Sequence, residues 1–203
     1  MKAGAHVKEE LLGLKKAAHG GEVWRYFQKD FVDFSSNVNP LGPSERAMDA
    51  VRDALWKCAY YPDPDSRELK GAIGEYMDLE EGNITVGNGS TELIKNFVEA
   101  FVRRGERVAI LGPTFSEYEV FGRLYGAEIR FHQAPQEGEF RFDDIPVENG
   151  TRALFICNPN NPTGKALERK RLEGLIEEAG DKDCFVFLDE AYIEFTRLKS
   201  FCQ

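Results

Sequence analysis

The sequence predicts an α/β fold: a mostly parallel sheet covered by helices, preceded by an N-terminal helical arm. Two observations carry this. From about residue 83 onward short β-rich runs alternate with helical ones, as in sheets whose parallel strands are joined by helical crossovers. The run CFVFL is apolar at every position, which suggests a strand buried on both faces.

Each element has its own local reason. The opening MKAGAHVKEELLGLKKAAHGG reads as an amphipathic helix without the long apolar core of a secretory signal. A second helix is expected from about Ser44 to Cys58, with a serine cap and Met48, Val51, Leu55 and Cys58 at helical spacing. NITV then reads as a strand feeding the helix STELIKNFVEAFVRR, RVAILG as a strand before the helix SEYEVFGRLYG, and AEIRFHQ as a third strand. After a loop rich in charge and proline come the strand RALFIC, the helix ALERKRLEGLIEEAG and the strand CFVFLD. The expected division is an arm and substrate-side segment over 1–45 and a sheet domain over 46–203.

Composition removes several function classes. No apolar run approaches the roughly 20 residues that span a bilayer, so no membrane partner is expected and a cytoplasmic setting is the default. The net charge of −9 with scattered acids offers no basic stripe, so nucleic acid is not an expected partner. The four cysteines make no CxxC pair and no metal-ligand spacing, so they are expected as reduced core residues and no metal is expected.

In parallel sheets ligands sit at the C-terminal ends of the strands, so the residues following each apolar run carry the information. Four such places stand out. After NITV comes GNGSTE, whose small residues can aim helix-opening amides at a phosphate, although alone it is an ordinary strand-to-helix turn. After RVAILG comes PTFSEY, which puts Phe115 where a ring could cover a flat ligand. After RALFIC comes NPNNPTG, where two prolines forbid helix or central strand and three asparagines offer hydrogen bonds. After CFVFL comes DEAY, where an acid at the end of an apolar strand needs a partner and Tyr192 follows three residues later.

A phosphate cup, a stacking face, amide and hydroxyl donors and a carboxylate are the four requirements of pyridoxal phosphate (PLP). On these motifs the chain, from about His19 to Phe195, resembles the first half of a fold-type I PLP enzyme. The branch is that of threonine-phosphate decarboxylases and histidinol-phosphate aminotransferases, and YYPDPDS, GNGSTE, PTFSEY, NPNNPTG and DEAYIEF occur in the family's order.

The resemblance implies roles residue by residue. Gly89, Ser90 and Thr91 match the cofactor-phosphate loop, and Phe115 matches the ring-stacking aromatic. Asn161 and Tyr192 match the donors to the phenolic oxygen, and Asp189 matches the partner of the pyridine nitrogen. Tyr61 matches the tyrosine that reaches the cofactor phosphate of a neighbouring subunit, which implies a homodimer.

HGG followed by FVDFSSNVNPLGPS resembles the decarboxylases of cobalamin (corrinoid) biosynthesis. It implies His19, Gly20 and Asn37, with Asn161, as contacts for a phosphorylated amino acid, O-phosphothreonine being favoured. The family's Schiff-base lysine is expected twenty to thirty residues beyond DEAY. The 203 residues extend only eleven past Tyr192, and Lys199 has neither the motif nor the distance, so no catalytic residue is assigned. Three readings follow: part of a threonine-phosphate decarboxylase, part of a histidinol-phosphate aminotransferase, or a non-catalytic chain binding a phosphorylated ligand or a subunit.

Overall fold

A computed structural model describes residues 7–17, 20–22, 32–133 and 147–202. His19 and most of the charged loop after the third expected strand lie outside them. Two compact units divide the chain, one built from the described residues of Met1–Ala17 and Thr85–Gln203, the other from those of Ala18–Ile84. This division differs from the expected boundary at 45/46, because residues beyond it, in helix α1 (Glu45–Ala54) and helix α2 (Arg67–Met77), belong to the second unit.

The first unit is a four-stranded, all-parallel sheet: β1 (Arg107–Gly112), β2 (Glu128–Gln133), β3 (Thr151–Cys157) and β4 (Phe185–Asp189), in the order β2-β1-β3-β4. Parallel neighbours need crossovers, and helices α4 (Glu117–Leu124) and α5 (Arg169–Gly180) supply two of them. Alternation along β1 and β3 divides the core in two. Ala109, Leu111, Leu154 and Ile156 face Leu172 and Leu175 of α5. Val108, Ile110, Ala153 and Phe155 face Ile94 and Val98 of helix α3 (Gly89–Phe101) and Tyr118 of α4. Two apolar faces covered by helices explain why these two strands are apolar on nearly every residue.

Four expectations change. β4 is an edge strand, paired only with β3 among the described residues, and CFVFL is covered on both faces but only in part: Val186 and Leu188 pack against one core face and Phe187 against the other, while Phe185 is 39% exposed. Residues 84–87, the end of the expected strand NITV and the glycine after it, pair with no strand among the described residues, and Ile84 instead lies against Gly74 of α2. The expected N-terminal helix is, among its described residues, a single 3-10 turn over Glu9–Leu11, with Leu12 extended and Gly13 at a φ of +85°. Of the cysteines, Cys157 and Cys184 are buried as expected, whereas Cys58 and Cys202 are exposed free thiols.

In the second unit, α1 begins with Ser44 accepting a hydrogen bond from the Ala47 amide, the expected cap. Its apolar stripe is not covered: Val51 and Leu55 are more than half exposed, as are Trp56 and Tyr60 in the 3-10 turn and loop that follow.

Candidate functional site

The parallel sheet puts the C-terminal ends of β1, β3 and β4 on one edge, with Cys157 and Asp189 as the last register pair of β3 and β4. Three of the four expected segments therefore converge by topology: the loop after Gly112, the loop after Cys157 and the turn after Asp189.

Asp189 is the buried centre of this edge, 9% exposed. Its Oδ2 accepts from the Tyr118 hydroxyl at 2.7 Å and its Oδ1 from the Ala191 amide at 3.0 Å. Among the described residues no lysine or arginine pairs with it. Burying a carboxylate is unfavourable unless donors and an opposite charge compensate, so this acid has its donors but lacks a cation.

The NPNNPTG loop is held from both sides. Asn158 continues the ladder, its amide donating to the Asp189 carbonyl at 2.8 Å, while its Oδ1 accepts from the Leu167 amide at 2.7 Å. Asn160, 2% exposed, donates through Nδ2 to the Pro113 carbonyl at 3.0 Å and to Thr163 Oγ1 at 2.9 Å, which ties this loop to the one bearing Phe115. Its Oδ1 is buried with no protein partner. The Asn161 amide donates to Cys157 Sγ at 3.4 Å, and the thiol donates to the Pro159 carbonyl at 3.3 Å. Burial pushes the Cys157 thiol above its ordinary pKa, so it remains a neutral donor. Asn158 and Asn160 thus support the loop through their side chains, and Asn161 is half-buried.

Phe115, also half-buried, meets Tyr118 edge-on with centroids 5.8 Å apart. Tyr192 is half-buried in the turn after β4.

The fourth segment opens α3. Gly89 has a φ of +76°, which a side chain disfavours, and its amide donates to the Gly87 carbonyl at 2.9 Å, so the chain turns tightly into the helix. Glu92 reaches back over this turn: its carboxylate accepts from the Asn88 amide at 2.5 Å and from Asn88 Nδ2 at 2.9 Å. These two bonds hold the Glu92 carboxyl below its ordinary range. Gly89 and Thr91 are exposed and Ser90 is half-buried.

The remaining expected residues belong to the second unit. Tyr61 is fully exposed and Asn37 is exposed. Gly20 packs so tightly that a Cβ there would lie 1.6 Å from the Ser35 carbonyl oxygen, and the Gly21 amide donates to Ser35 Oγ at 2.9 Å. Ser35 Oγ in turn donates to Asp33 Oδ1 at 2.6 Å, and Ser36 Oγ to Asp33 Oδ2 at 2.5 Å. The HGG and DFSSN segments therefore meet.

Tyr118, Asn160 and Glu92 were not given roles by the sequence reading, although all three lie inside quoted motifs. Tyr118 stands one helical turn from Phe115, and Glu92 four residues after Asn88; such spacing is the signal that would have found them. Among the described residues no group of His, Cys, Asp or Glu could hold a metal ion, and no helix is long and apolar enough to cross a membrane.

The chain is 36% identical over 198 residues to a histidinol-phosphate aminotransferase of Methanococcoides burtonii, covering 93% of this chain and 54% of that protein. The histidinol-phosphate aminotransferase of Clostridium acetobutylicum is a structural neighbour with a TM-score of 0.73 and 28% identity, covering 84% of this chain and 51% of that one. The L-threonine-O-3-phosphate decarboxylase of Porphyromonas gingivalis is another, with a TM-score of 0.65 and 28% identity, covering 78% of this chain and 48% of that one. The chain spans about half the length of the curated relatives it matches. The family model for aminotransferase class I and II matches residues 29–201. A parallel sheet whose strand ends gather a buried acid, an asparagine-rich loop and an aromatic, together with these likenesses, leads to one conclusion: the chain belongs to the class I and II aminotransferase family, whose cofactor is PLP.

Proposed function

We propose that this chain is the cofactor-binding part of a PLP-dependent enzyme acting on a phosphorylated amino acid, with O-phosphothreonine decarboxylation as the reaction. The observation that carries the cofactor reading is Asp189, a buried carboxylate with two donors and no cation of its own among the described residues. A protonated ring nitrogen supplies that missing charge. When bound, PLP provides an electron sink for carbanion chemistry.

The chain's own residues divide the work. Asp189 holds the proton on the pyridine nitrogen. The side-chain amide of Asn161 and the hydroxyl of Tyr192 donate to the phenolic oxygen, and Phe115 covers the ring. Gly89, Ser90 and Thr91 take the cofactor phosphate at the start of α3, where amides and helix dipole favour an anion. Tyr61 reaches the cofactor phosphate of a second copy, so the active protein is a homodimer.

The choice of substrate rests on the second unit. HGG and DFSSN are packed together through Gly20, Gly21 and Ser35, which supports a shared role for His19, Gly20 and Asn37 in holding the substrate phosphate. These residues would fix the substrate's orientation, and that grip would decide whether carbon dioxide or the α-proton is lost, with PLP supplying the electron sink. The second reading, transamination of histidinol phosphate, is favoured by the names of the curated relatives quoted above.

The full-length protein decides between them. Supplied with O-phosphothreonine it is expected to release carbon dioxide and form aminopropanol phosphate. Glutamate formed from histidinol phosphate and 2-oxoglutarate, without carbon dioxide from phosphothreonine, would establish the second reading instead.

A further inference from the structure

We propose that Tyr118 is a positioning residue for the cofactor ring, fixing the acid that pairs with the ring nitrogen and the aromatic face that covers the ring relative to each other; this rests on the PLP reading above.

Tyr118 sits on the first turn of α4 and is fully buried. Its ring stacks on Phe155 at 5.0 Å between centroids with 23° between planes, and Phe155 is itself fully buried in β3. A phenylalanine would fill this place as well. Burying a phenol without a partner is unfavourable, so the hydroxyl is explained by what it bonds: Asp189 Oδ2, 71 residues away in sequence.

That bond removes a degree of freedom from the acid. Oδ1 is tied to the Ala191 amide within its own turn, and Oδ2 is tied to α4, so the carboxylate cannot rotate about its last bond without breaking one of the two. The same ring meets Phe115 edge-on at 81°, in a geometry aromatic pairs prefer. One side chain thus touches both the proposed nitrogen partner and the proposed stacking face. The phenol keeps its proton throughout: burial, first of all, pushes its pKa far above the ordinary tyrosine range, and the neighbouring Cys157 and Asp189 act in the same direction. Tyr118 is therefore a permanent donor and takes no part in proton transfer.

The experiment compares Tyr118→Phe with the parent chain, titrating each with PLP and with 1-deaza-PLP, which has the same ring, phosphate and substituents but no ring nitrogen. The ring stack is preserved in the variant, and only the bond to Asp189 is lost. PLP affinity is expected to fall about three- to tenfold, the loss of one hydrogen bond to a charged group offset by relaxation, while affinity for the deaza analogue stays within about twofold. In an Asp189→Asn background the Tyr118 substitution should leave the preference for PLP over the analogue unchanged. Equal losses for both ligands would make Tyr118 a packing residue and overturn the inference, as would an unaltered PLP affinity. No PLP binding by the parent chain would overturn the cofactor reading itself, and the inference with it.

Discussion

The amide of Asn158 donates to the carbonyl of Asp189 at 2.8 Å, one residue beyond the point where β3 and β4 end as strands. The ladder is extended by one bond at the place where the NPNNPTG loop and the DEAY turn diverge. A proline at 159 cannot donate a further bond, so the chain must leave the sheet there. The result is that the loop carrying Asn161 and the turn carrying Asp189 start from one fixed point at the strand ends.

From that arrangement Asp189→Ala is expected to weaken PLP binding about tenfold to a hundredfold, or about 1.4 to 2.7 kcal/mol, within the range of a charge-assisted hydrogen bond. Equilibrium titration by cofactor absorbance measures it. Equal affinity in both proteins would remove Asp189 from the site.

Lysines offer a second check on the cofactor reading. Lys199 lies seven residues after Tyr192 and lines a small cleft with Asn158, Leu167, Arg169 and Phe201, none of which is assigned to the ring. Incubation with PLP, borohydride reduction and digestion are expected to give only substoichiometric pyridoxyl labels spread over several lysines. A single lysine labelled once per chain would show that this chain carries its own anchoring amine.

How much of this was legible in the sequence follows from whether the signal was local. The apolar runs of β1, β3 and β4 and the turn residues after them are local, and they located Asn161 and Asp189 at strand ends. The status of β4 as an edge was not legible, because the same apolar run serves a strand with one neighbour or two. NITV has strand composition but finds no neighbouring strand among the described residues. The bonds from Tyr118 to Asp189 and from Asn160 to Pro113 join residues 71 and 47 apart, and no periodicity reports such partners. Within the NPNNPTG loop, composition could not say which asparagines support the loop; the bonds of Asn158 to Leu167 and of Asn160 to Pro113 and Thr163 decide that.

Phe155 is the aromatic hinge of one core face. It is fully buried, stacked on Tyr118 at 5.0 Å and in edge contact with Phe97 at 5.6 Å. Phe155→Ala is expected to destabilise the chain by about 3 to 5 kcal/mol, through lost transfer energy and the cavity left behind. Phe155→Leu should recover more than half of that. Urea unfolding midpoints measure both, and a loss below about 1 kcal/mol for the alanine variant would contradict this packing.

The thiols separate by environment. Cys58 and Cys202 are exposed, while burial raises the pKa of Cys157 and pushes that of Cys184 up to about 11. Because the thiolate is the reactive form, brief alkylation at neutral pH should label Cys58 and Cys202 and spare the other two until urea is added. Peptide mapping reads the order directly, and rapid labelling of Cys157 in the native chain would contradict its burial between the Pro159 carbonyl and the Asn161 amide.

The clamp between HGG and DFSSN should depend on pH in a predictable direction. Asp33 accepts from both Ser35 and Ser36, and these bonds, the Ser35 hydroxyl first, hold its carboxyl below the ordinary value of 3.8. A carboxyl whose folded pKa is depressed contributes stability that is fully present above 3.8 and is lost as pH falls through the folded value. Asp33→Asn should therefore melt below the parent protein at pH about 7, and the gap should stay constant down to about pH 5 and then narrow in more acidic solution. Ser35→Ala removes the largest of these bonds and the acceptor for Gly21. It should reproduce the neutral-pH loss and also speed amide exchange at Gly21. A gap between Asp33→Asn and the parent that widens on acidification has the opposite sign, and would mean that Asp33 is not the anion organising this segment.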